Sequence, residues 1–124
     1  MKIPNKIRLN TTDQQLELGY ASGEQFALPA EFLRVLSPSA EVQGHGKPIL
    51  QTGKQFVRLT HAEAAGNYAL KLVFDDGHDS GLYTWDYLYQ LGSHQAQMWQ
   101  DYLDQLQAAG QFRDPSQSVV KIML

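Results

Sequence analysis

The side chains best suited to chemistry lie in two short polar stretches of the sequence. The first runs from Asp75 to Ser80 and contains Asp76, His78 and Asp79. Carboxylates and imidazole are ligands of divalent cations, so this stretch is a candidate metal site. An EF-hand loop would also need acidic residues at alternate positions and a later glutamate, which are missing here. The same residue types favour tight turns, so we expect a hydrated hairpin turn, with a metal site as the alternative.

The second stretch contains Ser37, Ser39 and Glu41, followed by His45 between two glycines. A serine near a histidine suggests nucleophilic catalysis, in which the imidazole takes the hydroxyl proton. Such a pair also needs a third group that holds the base, and an oxyanion hole. The sequence has no G-x-S-x-G motif that would present the serine. We therefore expect a surface loop whose serines bond to backbone groups, and we rank a hydrolase that uses Ser39 and His45 last.

The composition excludes several classes of protein. The chain has 124 residues, no cysteine and a formal net charge of −3. Without cysteine it has no disulfide, no thiolate zinc site and no cysteine nucleophile. The negative charge argues against a nucleic-acid partner, because binding to a phosphate backbone depends on clustered cations. No apolar run is long enough to span a membrane, so we expect one cytoplasmic domain over residues 1–124.

Alternating apolar residues predict strands in two parts of the chain. We expect them around residues 7–9, 16–20, 26–28, 56–60, 68–74 and 82–84. Asp76-Gly77 predicts a two-residue type I′ hairpin between the last two strands. Residues 37–54 contain two prolines and three glycines, and we expect them to be irregular.

Three helices are predicted from the spacing of apolar residues and from their end signals. They are Pro29–Leu36, Trp85–Leu91 ended by Gly92, and His94–Ala109 with Ser93 as its N-cap. The expected fold is α+β, a mainly antiparallel β-sheet packed by the C-terminal helices, with one short helix after the N-terminal strands. We expect the apolar tail, Val119–Leu124, to form an edge strand or to lie on a partner.

Two segments of the chain are distinctive enough to suggest a family. They are LRVLSPSAEVQGH, from Leu33 to His45, and FDDGHDSGLYTW, from Phe74 to Trp85. Together with Gly66–Leu70, and with Trp99 and Arg113 near the C-terminus, they resemble a small bacterial domain family. This family is similar to the N-terminal domain of gamma-butyrobetaine hydroxylase.

The resemblance implies a structural zinc site whose ligands have been replaced in this chain. In gamma-butyrobetaine hydroxylase the domain precedes a separate oxygenase and binds zinc through three cysteines and one histidine. By position the cysteines correspond to Ser37, Ser39 and Val42, and the histidine corresponds to His78. Hydroxyls are poor substitutes for thiolates, so we expect no metal and no cofactor.

The resemblance also bears on function, because similar domains occur fused to P-loop carriers of iron–sulfur clusters. We therefore predict a non-enzymatic accessory domain with an unidentified protein partner. The expected interaction surface surrounds the former zinc position and consists of Ser37, Ser39, Glu41, His45, Asp76, His78 and Asp79. All of these except the two serines are expected to be exposed. The alternative is a divalent-metal module that uses His45, His78 and Asp76.

Overall fold

The fold contains two antiparallel β-sheets. The computed structural model describes residues 2–44 and 46–117, and in them the chain forms two three-stranded sheets and four helices. His45 and the apolar tail Val119–Leu124 lie outside the described residues. The α+β class predicted from the sequence is confirmed, although the strands divide between two sheets.

The first sheet is built from β1 (Lys6–Asn10), β2 (Gln15–Gly19) and β3 (Gln25–Pro29), in that order. Leu16 pairs with Leu28 across β2 and β3, and both side chains are fully buried. Alternation along β2 places Leu16 and Leu18 on the face that packs into the core, as the apolar pattern predicts.

The second sheet is built from β4 (Leu59–Ala65), β5 (Ala69–Phe74) and β6 (Leu82–Thr84), with β5 in the centre. Leu70, Leu72 and Phe74 of β5 are buried in the same core as the first sheet. The strand predicted at residues 68–74 is confirmed, and it is the central strand of this sheet.

The prediction for β4 is wrong at both ends. The strand begins at Leu59 and not at Phe56, and it continues to Ala65 through residues that the sequence assigns to a loop. The residues from His61 to Ala65 pair with β5 across a turn at Gly66, whose φ is 56°. Alanines and polar residues carry no apolar alternation, so backbone pairing with β5 decides this strand.

The type I′ hairpin predicted at Asp76-Gly77 is also wrong. Gly77 has a φ of 88°, but Asp76 does not share the positive φ that this turn requires at both positions. Pairing between β5 and β6 ends at Lys71 and Leu82, so a longer connection joins them. Its course is set by side-chain contacts of Asp76, which are described with the site below.

Four helices pack around the sheets: α1 (Ala30–Val35), α2 (Ala40–Gln43), α3 (Trp85–Ser93) and α4 (Gln95–Ala109). The sequence does not predict α2, which lies within the stretch expected to be irregular. Leu88 and Leu91 of α3 belong to the main core, while Tyr102 and Leu106 of α4 form a second cluster. No helix of the described residues is long and apolar enough to cross a membrane.

Every residue of α1 is buried, including two that are charged. Arg113, beyond α4, donates to both carboxylate oxygens of Glu31, at 2.9 and 2.7 Å, and its guanidinium lies 5.1 Å from the centre of a Trp99 ring. Arg34 donates from Nε to Asp76 Oδ2 at 2.9 Å. Since a buried charge is costly without a partner, these two pairs fix α1 against segments distant in sequence.

Gly92 lies inside α3 and does not end it, and Ser93 is the last residue of this helix. The predicted N-cap is therefore wrong, because α4 follows α3 almost directly and His94 takes that position. Gly92 faces the Phe26 ring, where an added Cβ would lie 2.2 Å from Cδ2. The glycine is required here by close packing between helix and sheet.

We predict that Gly92→Ala destabilises the protein. Alanine favours a helix over glycine by about 1 kcal/mol, but the clash with Phe26 reverses the sign and costs about 1–3 kcal/mol. Urea unfolding measures the difference, with the adjacent exposed Ser93→Ala as the control expected to change stability by less than about 0.5 kcal/mol. A Gly92→Ala protein as stable as the wild type would contradict this packing.

Candidate functional site

The two polar stretches of the sequence meet in the interior at Ser37 and His78. Ser37 Oγ lies 2.7 Å from His78 Nε2, and Ser39 Oγ lies 3.4 Å from the same nitrogen. Ser37 is fully buried, and Ser39 and His78 are each 4% exposed. The positional correspondence suggested by the family resemblance therefore describes a real contact between segments about forty residues apart.

The backbone around Ser37 holds the serines in this position. Ser37 follows the end of α1, and Ser39 precedes the first residue of α2. Ser39 N donates to Ser37 Oγ at 3.2 Å, and Gln43 Nε2 donates to the Ser37 carbonyl at 2.9 Å. On the opposite side, a Cβ added at Gly81 would lie 2.6 Å from Ser37 Oγ. Glycine at this position therefore lets the 75–81 segment approach the serines closely.

Glu41 closes the site towards the solvent. Its Oε2 lies 3.4 Å from His78 Nδ1, and its Oε1 accepts a hydrogen bond from Ser80 Oγ at 3.2 Å. The Glu41 side chain is nevertheless 71% exposed. Because an ionised carboxylate only accepts hydrogen bonds, we assign the His78 proton to Nδ1, which leaves Nε2 to accept from Ser37.

Asp76 fixes the course of the 75–81 segment. Its Oδ2 accepts from Arg34 Nε at 2.9 Å and from Lys54 Nζ at 3.2 Å, and its Oδ1 accepts from His78 N at 3.2 Å. Burial alone would raise the pKa of Asp76, but these hydrogen bonds outweigh it and hold the pKa below its ordinary value. The carboxylate thus bends the segment towards α1, which explains why the hairpin is not a two-residue turn.

His78 is held in its neutral form. Burial lowers its pKa below the ordinary value of 6.5, and the positive charge of Arg34 acts in the same direction. Glu41 and Asp76 oppose the shift without reversing it. A neutral imidazole agrees with Nε2 accepting from the Ser37 hydroxyl.

Ser37, His78 and Glu41 have the order of contacts found in a serine, histidine and carboxylate triad. The sequence predicts a different pair, Ser39 with His45. The Ser37 hydroxyl, however, has no exposed surface, and Ser39 N and Gly81 enclose it. A substrate carbonyl has no path to this oxygen, so the arrangement acts as a structural connection between two segments.

The predicted surface residues therefore divide into two groups. Glu41 and Asp79 are exposed, whereas Ser37, Ser39 and His78 are buried. The expected exposure of His78 is wrong, because contact between the two segments removes it from solvent. Asp76 is an exposed residue, as expected, although its side chain is only 19% exposed because it contacts Arg34 and Lys54.

The alternative metal site gains no support from these positions. Within the described residues, no group of three His, Asp or Glu side chains is arranged to hold a metal ion. Asp76 already accepts from two cationic side chains. Sequence reasoning did not anticipate Arg34 and Lys54, although Arg34 belongs to one of the two distinctive segments.

Comparison with known proteins identifies the family. The sequence model of the family described as gamma-butyrobetaine hydroxylase-like, N-terminal, matches residues 7–89. This chain belongs to that family. No curated protein matches the chain.

Solved structures are similar to this chain over its whole length. One protein, solved by NMR in solution, is 60% identical, with a TM-score of 0.85 over 100% of this chain and 99% of its own. A second NMR structure is 46% identical, with a TM-score of 0.80 over 100% of this chain and 95% of its own. A crystal structure from Acidithiobacillus ferrooxidans ATCC 23270 is 35% identical, with a TM-score of 0.62 over 72% of this chain and 91% of its own. That protein is described as having unknown function and belonging to the DUF971 family.

The zinc implied by the gamma-butyrobetaine hydroxylase-like family does not fit the residues present here. Around a tetrahedral zinc, a sulfur and a nitrogen ligand lie about 3.5 Å apart, with the ion between them. Ser37 Oγ and His78 Nε2 instead bond directly at 2.7 Å. Val42 offers no donor atom, and hydroxyls bind zinc poorly. A hydrogen bond between side chains joins the two segments where the family's metal would.

We predict that Ser37→Ala destabilises the protein by about 1–3 kcal/mol, because Ser39 N loses its acceptor and His78 Nε2 keeps only the longer contact with Ser39 Oγ. Chemical denaturation measures the loss. Ser80→Ala is the matched control, since it removes an exposed hydroxyl that bonds to Glu41 and should cost less than about 0.5 kcal/mol. Equal stability of the two variants would show that the buried contact contributes nothing.

We also predict that stability falls as the pH is lowered from about 7 to about 5. The pKa of His78 is lower in the folded state, so the unfolded chain binds more protons in this window and acid favours unfolding. The Asp76 carboxyl, whose pKa is also lowered, acts only at more acidic pH, below its ordinary value of 3.8. Thermal unfolding at several pH values should show a shallower dependence for His78→Gln than for the wild type. Parallel curves would contradict a buried neutral histidine.

Proposed function

We propose that this domain is a non-enzymatic accessory module that binds a protein partner beside the junction of α2 and the 75–81 segment. The observation that supports this most is that the buried polar groups already bond to one another. Ser37, Ser39 and His78 bond to one another, and Asp76 bonds to Arg34 and Lys54. Their polar atoms are used to fix two segments in place, which favours a rigid recognition surface over a reaction centre.

The exposed part of this junction is acidic. Glu41 is held by Ser80 and His78, so its carboxylate stands in a defined position although most of it faces solvent. Asp79, which precedes Ser80 in the sequence, is also exposed. A carboxylate whose side chain is already ordered loses less conformational entropy on binding a partner, which favours recognition of a basic group.

A groove lined by both apolar and polar side chains lies beside α2. Its volume is about 420 Å³, and its lining includes Val42 of α2, Ile49 of the following segment, and Met98 and Tyr102 of α4. Ile49 is 56% exposed. Asp101 also lines the groove, and the helical region from Trp85 to Gln111 contains three aspartates but no lysine or arginine. These features favour a partner segment with apolar side chains flanked by basic ones.

Family resemblance supports the class of partner. Domains similar to this one occur beside carriers of iron–sulfur clusters, and we extend the proposal to a partner from an iron–sulfur or metalloenzyme system. The chain has no cysteine, so its part would be contact with the carrier and not thiolate ligation of the cluster.

We predict that Asp79→Lys lowers the affinity for the partner by about tenfold, because it reverses a charge at the recognition surface. Quantitative affinity capture from a native lysate identifies candidates, and titration with the purified candidate measures the dissociation constant. Glu41→Lys should have the same effect, with its folding checked by thermal unfolding because it also removes the contact with His78.

Asp13→Lys provides the matched control, since Asp13 is an exposed acidic residue in the turn between β1 and β2. It should bind the partner as the wild type does. The proposal is contradicted if the wild type and Asp79→Lys capture the same proteins. It is also contradicted if all three variants bind the partner with the same dissociation constant.

A further inference from the structure

One strand of the second sheet has an open edge. Strand β4 pairs with β5 on one side, and within the described part of the chain no strand pairs with its other side. Thr60, His61, Glu63 and Ala64 are exposed along it. On such an edge, alternate N–H and C=O groups point away from the sheet and are ready to pair with another strand.

The other strands at the edges of the two sheets carry features that hinder pairing. Lys6 and Arg8 place like charges on β1, β3 ends in Pro29, and β6 has only three residues. Strand β4 has seven residues, no proline and no lysine or arginine, and three of its side chains are alanine. Its register against β5 shifts between Leu59 and His61, so the strand is regular only from His61 onwards. Of these edges it is the one best suited to strand addition.

Gln14 covers the first residue of β4 and so sets one limit of the open edge. Its side chain accepts from Leu59 N at 2.7 Å and donates to the Leu59 carbonyl at 3.4 Å, as a neighbouring strand would. This amide occupies the edge at Leu59 and leaves the stretch from Thr60 to Ala64 open.

The sequence of this open stretch is complementary to itself in the antiparallel direction. When two copies align about Ala62, His61 of each copy lies opposite Glu63 of the other, within the part of β4 whose register is regular. Directly opposed residues share a face of the sheet, so imidazole and carboxylate meet twice, once on each side of the two-fold axis. Alanine at the axis avoids a steric conflict between identical side chains.

We propose that two copies of this chain associate through β4, with Ala62 on the two-fold axis and residues 61–63 paired antiparallel. The second sheets of the two copies then join into one six-stranded sheet. Pairing over so short a stretch buries less surface than a stable dimer requires, so the association is weak and depends on protein concentration. The proposal is independent of the partner surface around α2.

Sedimentation velocity from about 10 µM to about 1 mM tests the association. His61→Glu sets two carboxylates against each other at both ends of the paired stretch and should raise the dissociation constant about tenfold or more. The exchange His61→Glu/Glu63→His restores both opposite pairs and should return the constant to within about threefold of the wild type. His94→Glu, the same substitution at an exposed position between α3 and α4, should change nothing.

The absence of cysteine allows the register to be tested separately. Antiparallel pairing places the two Ala62 Cα atoms about 5 Å apart, within the range of a disulfide, so Ala62→Cys should form a covalent dimer with oxidised glutathione. Ala64→Cys places its two thiols about 13 Å apart along the strand and should cross-link far more slowly.

Three results would overturn the proposal. They are a wild type that stays monomeric at about 1 mM, an association that His61→Glu does not weaken or the exchange does not restore, and cross-linking at position 64 as fast as at position 62.

Discussion

The fold around the candidate site depends on one buried hydrogen bond, between the Ser37 hydroxyl and His78 Nε2. It joins the chain after α1 to the connection between β5 and β6, and both residues are out of contact with water. Neither side chain could be buried alone, because an unsatisfied polar group in the interior costs more than the bond itself gains. The burial of each side chain therefore requires the other to be in place.

The neighbouring contacts follow from the same constraint. Gly81 has no side chain to displace Ser37, Asp76 bends the connecting segment towards Arg34, and Glu41 holds the His78 proton on Nδ1. Burial and Arg34 keep the pKa of His78 low, so the imidazole stays neutral and accepts from the serine. Where the resemblance to gamma-butyrobetaine hydroxylase implies a thiolate zinc site, neutral and paired polar groups join the two segments of this chain.

Helix α1 links this site to the rest of the molecule. Glu31, near its beginning, pairs with Arg113, and Arg34, near its end, pairs with Asp76. One buried helix of six residues is thereby fixed to the segment beyond α4 and to the segment that carries His78. The Arg113 side chain is 37% exposed, so these pairs are only partly buried, and the cost of desolvating their charges offsets much of their attraction.

The sequence by itself determined the fold class, the strands whose apolar residues alternate, and the family. Alternation in β2 and β5 and the apolar spacing in α4 are local patterns, and local patterns follow from the geometry of one strand or one helix. Tertiary structure decided the rest. The backbone of β5 organises the alanine-rich β4, the Phe26 ring explains Gly92, and the meeting of two distant segments buries Ser37 and His78. Each of these outcomes depends on a contact between residues far apart in the chain, and no local pattern of residue types encodes which distant group will be there.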